Sequence, residues 1–215
     1  MKSRTKSRTA ESGSALIEFV FCFGLFWVPL FLGMLTVGFN LIAAVEVTQV
    51  CRDAAHMYSQ GIDFSQSTYK TLLINLAPGL GLAATGGKGE VILSSITYID
   101  DTDCAAASLT GTNCTNRNQY VVTRRIVIGN TGTGFPTSDF GTPSATILDS
   151  SGNVKSSSGG TPYYLTNSSA RASNFQSSTG VTLASQHYAY TAEMYVQSPY
   201  WSSLGTSGVS ARSIF

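Results

Sequence analysis

The sequence predicts an α+β protein: a long N-terminal transmembrane and amphipathic helix packed on a small antiparallel β-sheet domain with a long irregular insertion. Three observations carry that expectation. No charged residue occurs from Phe19 to Val45. Segments near residues 90–99, 119–128 and 187–197 have strand composition, and 130–182 is dense in Ser, Thr, Gly and Asn. Composition agrees, because only 12% of the 215 residues are charged, against roughly a quarter in an ordinary soluble domain. Hydrophobic residues make up 43%, there are 21 glycines, and mean hydropathy is +0.11. That hydrophobic share argues against intrinsic disorder. A net charge of +1 gives no support for nucleic-acid binding.

The N-terminal segment carries Lys2, Arg4, Lys6 and Arg8, then Glu11 and Gly13. The uncharged run that follows is 27 residues long, about 40 Å as a helix at roughly 1.5 Å per residue. A bilayer core needs only about 20 residues. Pro29 is expected to bend the span, a defect that membranes tolerate. The basic residues before it predict a cytoplasmic N-terminus and an exported remainder. A cleaved signal peptide is one competing reading. Its apolar region is typically about 7–15 residues, and the best cleavage candidate, Ile42-Ala43-Ala44, has a poor first position. An uncleaved anchor is the other.

Glu18 bears on that choice. It stands at the head of the apolar stretch, five residues after Gly13, in Gly13-Ser14-Ala15-Leu16-Ile17-Glu18-Phe19. An acid at a membrane edge costs free energy and usually has a function. On these residues the sequence resembles the type IV prepilin family, in which a basic leader ends in Gly and the fifth mature residue is Glu. Phe19 directly after Glu18 is similar to the Flp (Tad) branch, and the continuation resembles TadE-like and TadG-like pseudopilins. In those the span is followed by a small-residue amphipathic helix with an arginine near Arg52. The resemblance covers roughly residues 9–61, and more weakly the strand near 188–197. Cys22, Phe23 and Trp27 make this span more aromatic than the Leu-rich family pattern. The exported part is also longer and richer in Ser and Gly than in many members.

The resemblance implies a leader at 1–13, a transmembrane and amphipathic helix at 14–61 and an exported domain at 62–215. It implies that a prepilin peptidase cuts after Gly13 and that Ser14 becomes the N-terminus. Glu18 would then pair with the terminal amine of a neighbouring subunit, offsetting the cost of holding an acid among apolar helices. The implied partners are the peptidase, other pilins and pseudopilins, the Tad assembly machinery and the lipid bilayer. The implied location is the bacterial inner membrane, crossed once, with the C-terminal domain periplasmic or extracellular. Removing residues 1–13 takes away four basic residues and Glu11, leaving 9 basic and 11 acidic residues.

Beyond the bilayer, Val47, Val50, Cys51, Ala54 and Tyr58 share one helical face, and Gly61 is a natural stop. Ser65 to Ala77 predicts a second helix with Tyr69, Leu72, Leu73 and Leu76 as its stripe, ended by Pro78-Gly79. The Gly-rich stretch 79–89 predicts a loop. Glu90–Ile99 predicts a strand with Ile92, Ser94, Ile96 and Tyr98 on one face. Gln119–Ile128 predicts a second strand, in which Arg124 and Arg125 take opposite faces and at least one is solvated. His187–Gln197 predicts a third, with Tyr188, Tyr190, Ala192, Met194 and Val196 together.

Candidate chemistry is sparse. Cys104 and Cys114 lie between the first two strands, where an oxidising compartment favours a bond between them. The alternative is two free thiols. Cys22 falls in the bilayer run and Cys51 on the amphipathic helix. His56 and His187 read as structural. Asp100, Asp101 and Asp103 read as a solvated turn rather than a calcium loop, since the Gly and distal Glu of an EF-hand are missing. Pro162-Tyr163-Tyr164 and Pro199-Tyr200-Trp201 read as packing residues or an adhesive surface. No catalytic motif, metal site or cofactor site is predicted. The first reading is a minor pseudopilin, a structural assembly component. The alternative is a generic single-pass membrane protein with an exported partner-binding or adhesive domain. An exported enzyme is a third.

Overall fold

The computed structural model describes residues 11–197 and 208–215. Lys2, Arg4, Lys6, Arg8 and Pro199-Tyr200-Trp201 therefore lie outside the described residues. The chain divides into two compact units, Met1–Ile42 and Ala43–Phe215.

In the first unit, α1 (Glu11–Cys22) leads through a π-helical turn, Phe23–Trp27, into α2 (Val28–Ser59). The Val28 N–H donates to the Phe23 carbonyl, five residues back. Pro29 explains the position of this wide turn. Its ring crowds the carbonyl of Leu25 and it donates no bond of its own, and a π turn accommodates both. Two polar side chains here bond to the helix itself. Thr36 Oγ1 donates to the Leu32 carbonyl at 2.6 Å, and Asn40 Nδ2 to the Thr36 carbonyl at 2.8 Å.

In the second unit α2 continues with Val47, Val50, Cys51, Ala54 and Tyr58 buried along one face. It ends as its sequence predicts. Gly61 takes φ +87, its N–H donates to Tyr58, and the Ile62 N–H donates to Met57. That is the paired bonding of a Schellman cap. The second helix, α3, runs Ser67–Leu76. Its expected stripe is off by one position: Leu73 is buried, whereas Tyr69, Leu72 and Leu76 are exposed. Leu73 packs with Ile74 and Ala77 instead.

Four strands follow: β1 (Gly89–Ile99), β2 (Gln119–Gly129), β3 (Tyr188–Val196) and β4 (Val209–Ile214). They form one antiparallel sheet in the order β2-β1-β3-β4. One sheet face meets α2 through Val91, Leu93, Ala192, Met194 and Val196. Tyr58 meets Tyr190 edge-on at 5.4 Å, and Cys51 Sγ donates to the Ala192 and Ala211 carbonyls at 3.3 and 3.4 Å.

The predicted face of β1 is the other one. Ile96 packs with Val122, Phe140, Ala172, Phe175 and Ala189, away from the helix. Both faces of β1 are covered because the 130–182 segment folds over the second face. That segment contains no strand and only short helical turns, including α5 (Tyr163–Thr166) and α6 (Phe175–Thr179). It is pinned to the outer edge of β2. The Arg125 N–H donates to the Gly152 carbonyl at 2.7 Å, and the Ala172 N–H to Tyr120 at 2.8 Å. Gly152 has φ +81, and a Cβ there would lie 2.0 Å from the Arg125 carbonyl oxygen, so only glycine fits.

A third cluster joins Ile99, Val121 and Leu165 to the bonded pair Cys104–Cys114, whose Cα atoms are 5.9 Å apart. Cys104 lies on a short helix, α4 (Asp101–Ala106), where the sequence predicts a solvated turn. Of Pro162-Tyr163-Tyr164, Tyr164 packs against this cluster.

If the insertion is part of the core, truncating its central aromatic must be costly. Phe175→Ala is expected to destabilise the full chain by about 3–5 kcal/mol, measured by thermal or denaturant unfolding in detergent. A loop residue without packing would cost within about 0.5 kcal/mol.

Candidate functional site

The candidate site has two parts, one on the apolar helix and one on the second sheet face. On the helix, Gly13, Ser14 and Glu18 all lie in α1 and all are exposed. Among the described residues, nothing stands within 4 Å of where a Gly13 side chain would begin. The Phe19 and Phe23 rings stack at 5.9 Å. Helix Gly13–Ser59 is long and apolar enough to cross a membrane, and none of its most apolar window is buried within the chain. Glu18 is the only charged residue between Gly13 and Glu46. The arrangement is an apolar rod with one carboxylate near its head, suited to lipid or to other helices rather than to water.

On the second sheet face the structure gathers charges that are far apart in the sequence. The pairing register sets Glu193 of β3 opposite Ile92 of β1 and opposite Arg212 of β4. Glu90 lies two residues from Ile92 on the same face. The Glu193 carboxylate accepts from Ser138 Oγ, and from the Asp139 N–H at 2.9 Å. Arg212 bonds Asp139 and stands 3.9 Å from Glu193. Arg125, expected to be solvated unless Arg124 is, is buried and donates to the Gly141 carbonyl at 2.5 Å. Arg124 is half-buried and bonds Asp63, so neither arginine is free in water. The detectable signal was charge within the strand pattern, at Glu90, Arg125 and Glu193.

Burial pushes the Glu90 carboxyl above its usual range. Arg125 opposes this shift and Glu193 adds to it. Burial likewise raises Glu193, against the Ser138 hydrogen bond and the Arg125 charge. Asp63 shows the opposite balance. Burial would raise it, but hydrogen bonds from Ser65 and Arg124 hold it at about 2.

The other candidates have structural roles. Asp100 caps α4, accepting from the Thr102 and Asp103 N–H groups at 2.8 and 3.0 Å, while Asp103 bonds back to the Asp100 N–H at 3.1 Å. Asp101 pairs with Arg117. His56 packs on Phe215 at 5.3 Å, and His187 is exposed. No group of three His, Cys, Asp or Glu placed to hold a metal occurs among the described residues.

One helix of bilayer length ahead of an α+β domain fits a single-pass membrane protein. Residues 13–56 match the family model described as TadE-like protein. The match is consistent with a TadE/TadG-like protein of the Tad pilus system, and it begins at Gly13. No curated protein and no solved structure matches the chain.

The two kinds of acid predict opposite pH responses. With raised folded pKa values, Glu90 and Glu193 favour the folded state most below about 4.3, the usual Glu value. That advantage is lost as pH rises through their folded values. The contribution of Asp63 is present above about 3.9 and is lost as pH falls towards about 2. Glu90→Gln is therefore expected to raise the melting temperature at pH 8, and the gain should shrink towards pH 4. Melts of the full chain in detergent, followed by circular dichroism, check this.

Proposed function

We propose that the chain is a minor pseudopilin, a structural and assembly component of a Flp (Tad) type IV pilus, and not an enzyme. The observation that carries this reading is Gly13-Ser14-Ala15-Leu16-Ile17-Glu18-Phe19 at the head of an exposed apolar helix, inside the region matching the TadE-like family. A prepilin peptidase of the inner membrane cuts after Gly13. Glycine suits that position twice over. It has no Cβ to obstruct the protease, and it costs a helix about 1 kcal/mol relative to alanine, which eases local opening of α1.

After cleavage Ser14 carries a new amine. Glu18 is four residues along the helix, and in a bundle its carboxylate pairs with the amine of a neighbouring subunit. Breaking one partner of such a pair in apolar surroundings costs several kcal/mol. The N-terminus is cytoplasmic and the domain from residue 62 onward lies outside the inner membrane. The partners are other pilins and pseudopilins, the Tad assembly machinery and the lipid bilayer.

Mass spectrometry of the membrane-extracted protein is expected to show a chain starting at Ser14, and the uncut chain in cells lacking the peptidase. Uncut protein in cells with an active peptidase would overturn the proposal. Glu18→Ala is expected to abolish incorporation or piliation while leaving the Cys104–Cys114 bond intact. Unchanged piliation would count equally against it.

A further inference from the structure

Glu90 is the most poorly matched polar group on the second sheet face. It is only 6% exposed, and its Oε2 has no hydrogen-bond partner among the described residues. A buried carboxylate oxygen left this way costs more than an ordinary lost hydrogen bond. Nearby cations do not supply the missing donor. Arg125 donates to the Gly141 carbonyl. Arg212 is held by Asp139 and lies over the Phe140 ring at 5.9 Å.

Glu90 and Glu193 both line a pocket of about 180 Å³. That is close to the volume of engineered cavities, about 150 Å³, that take up benzene. Ile92, Pro136 and Tyr195 give it apolar walls, and the Tyr195 ring is braced edge-on by Phe135 at 5.5 Å. Asp139 and Arg212 line it too, paired with each other, and Ser138 there already donates to Glu193. The pocket thus offers a partly apolar slot with one unmatched carboxylate at its wall, Glu90, and a second and already bonded carboxylate, Glu193, beside it. The only cation among the described lining residues, Arg212, is tied to Asp139. An ammonium group matches this: it brings three donors and one positive charge on a flexible apolar stem. A divalent cation does not, because no metal-holding cluster of three such ligands occurs among the described residues.

We propose that this pocket is a binding site for a primary ammonium group on an aliphatic chain, with Glu90 as its principal hydrogen-bond acceptor and Glu193 as the second charge. Two sources share that chemistry: a small free amine, and a lysine side chain of another protein. The site is independent of processing at Gly13 and of the role proposed for Glu18.

The test uses the full chain in detergent at pH 8. Melting temperature is followed against n-butylamine hydrochloride, with sodium chloride at matched ionic strength and n-butanol as controls. A parallel arm uses N-acetyl-lysine-methylamide. The amine is expected to give a saturable rise of about 5 °C when far above its Kd. Neither control should give it, and Glu90→Gln and Glu193→Gln should each remove it. A rise with both the amine and the lysine derivative assigns the source as a lysine side chain. A rise with the free amine alone assigns a small-molecule amine. No rise, or an equal rise with n-butanol, overturns the proposal, and that comparison rests on the unmodified chain alone. A rise retained by a cooperatively melting Glu90→Gln variant overturns it as well.

Discussion

One helix serves two solvents, and the rest of the molecule depends on how it changes from one to the other. Up to Val45 its large apolar side chains face outward, where each would cost roughly 1.5–3 kcal/mol in water. From Val47 the same helix buries one face under a sheet. Glu46, half-buried, is the first charged residue after the apolar run. Gly79, just after α3, comes so near that a Cβ there would lie 3.3 Å from the Glu46 carboxylate. The side-chain pattern of the helix therefore decides both what its first half must be surrounded by and where the domain begins.

The sheet is shielded unevenly. Its helix face is a continuous apolar core. Its other face combines an apolar patch around Phe140 and Phe175 with a polar region around Glu90, Glu193 and Arg125. Polar groups at this depth are tolerable only when they are bonded, and Glu193 and Arg125 meet that condition through the covering segment. A stretch rich in Ser and Gly suits this task. It can bring backbone and hydroxyl groups to the strands where a regular helix has its backbone already paired.

How much of this was legible in the sequence follows from which signals are local. The apolar run, the buried face of α2, the Gly61 stop and three strands all rest on residue spacing within one element, and the structure contains each of them. β1 shows where spacing runs out. A strand covered on both sides carries apolar residues on both faces, so Ile92 and Ile96 pointed to a face without saying what lay over it. α3 forms where expected, but its buried stripe is displaced for a related reason, since leucines at 72, 73 and 76 fit two neighbouring stripes. The insertion looked irregular because its contribution to the core comes from a few isolated residues, Phe140, Leu165 and Phe175, set among polar neighbours. β4, at the edge of the sheet, is short and carries only Val209, Ala211 and Ile214 as apolar residues. On the helix, Gly13, Ser14 and Glu18 were legible as a motif. The grouping of Glu90, Glu193 and Arg125 depends on strand register between three segments distant in sequence, which no local pattern encodes.

The burial of Cys51 has a consequence for how the chain matures. Cys51 and Cys22 are the two unpaired cysteines, in a chain that also contains a bonded pair. Scrambling begins when a thiolate reaches a disulfide sulfur. In the folded domain Cys51 is fully buried and its sulfur is engaged with two strand carbonyls, Ala192 and Ala211. Before the strands containing those carbonyls close over the helix, that protection does not exist. Docking of the helix against β3 and β4 therefore also quarantines a thiol, and a domain that closes late is exposed to mispairing for as long as it stays open.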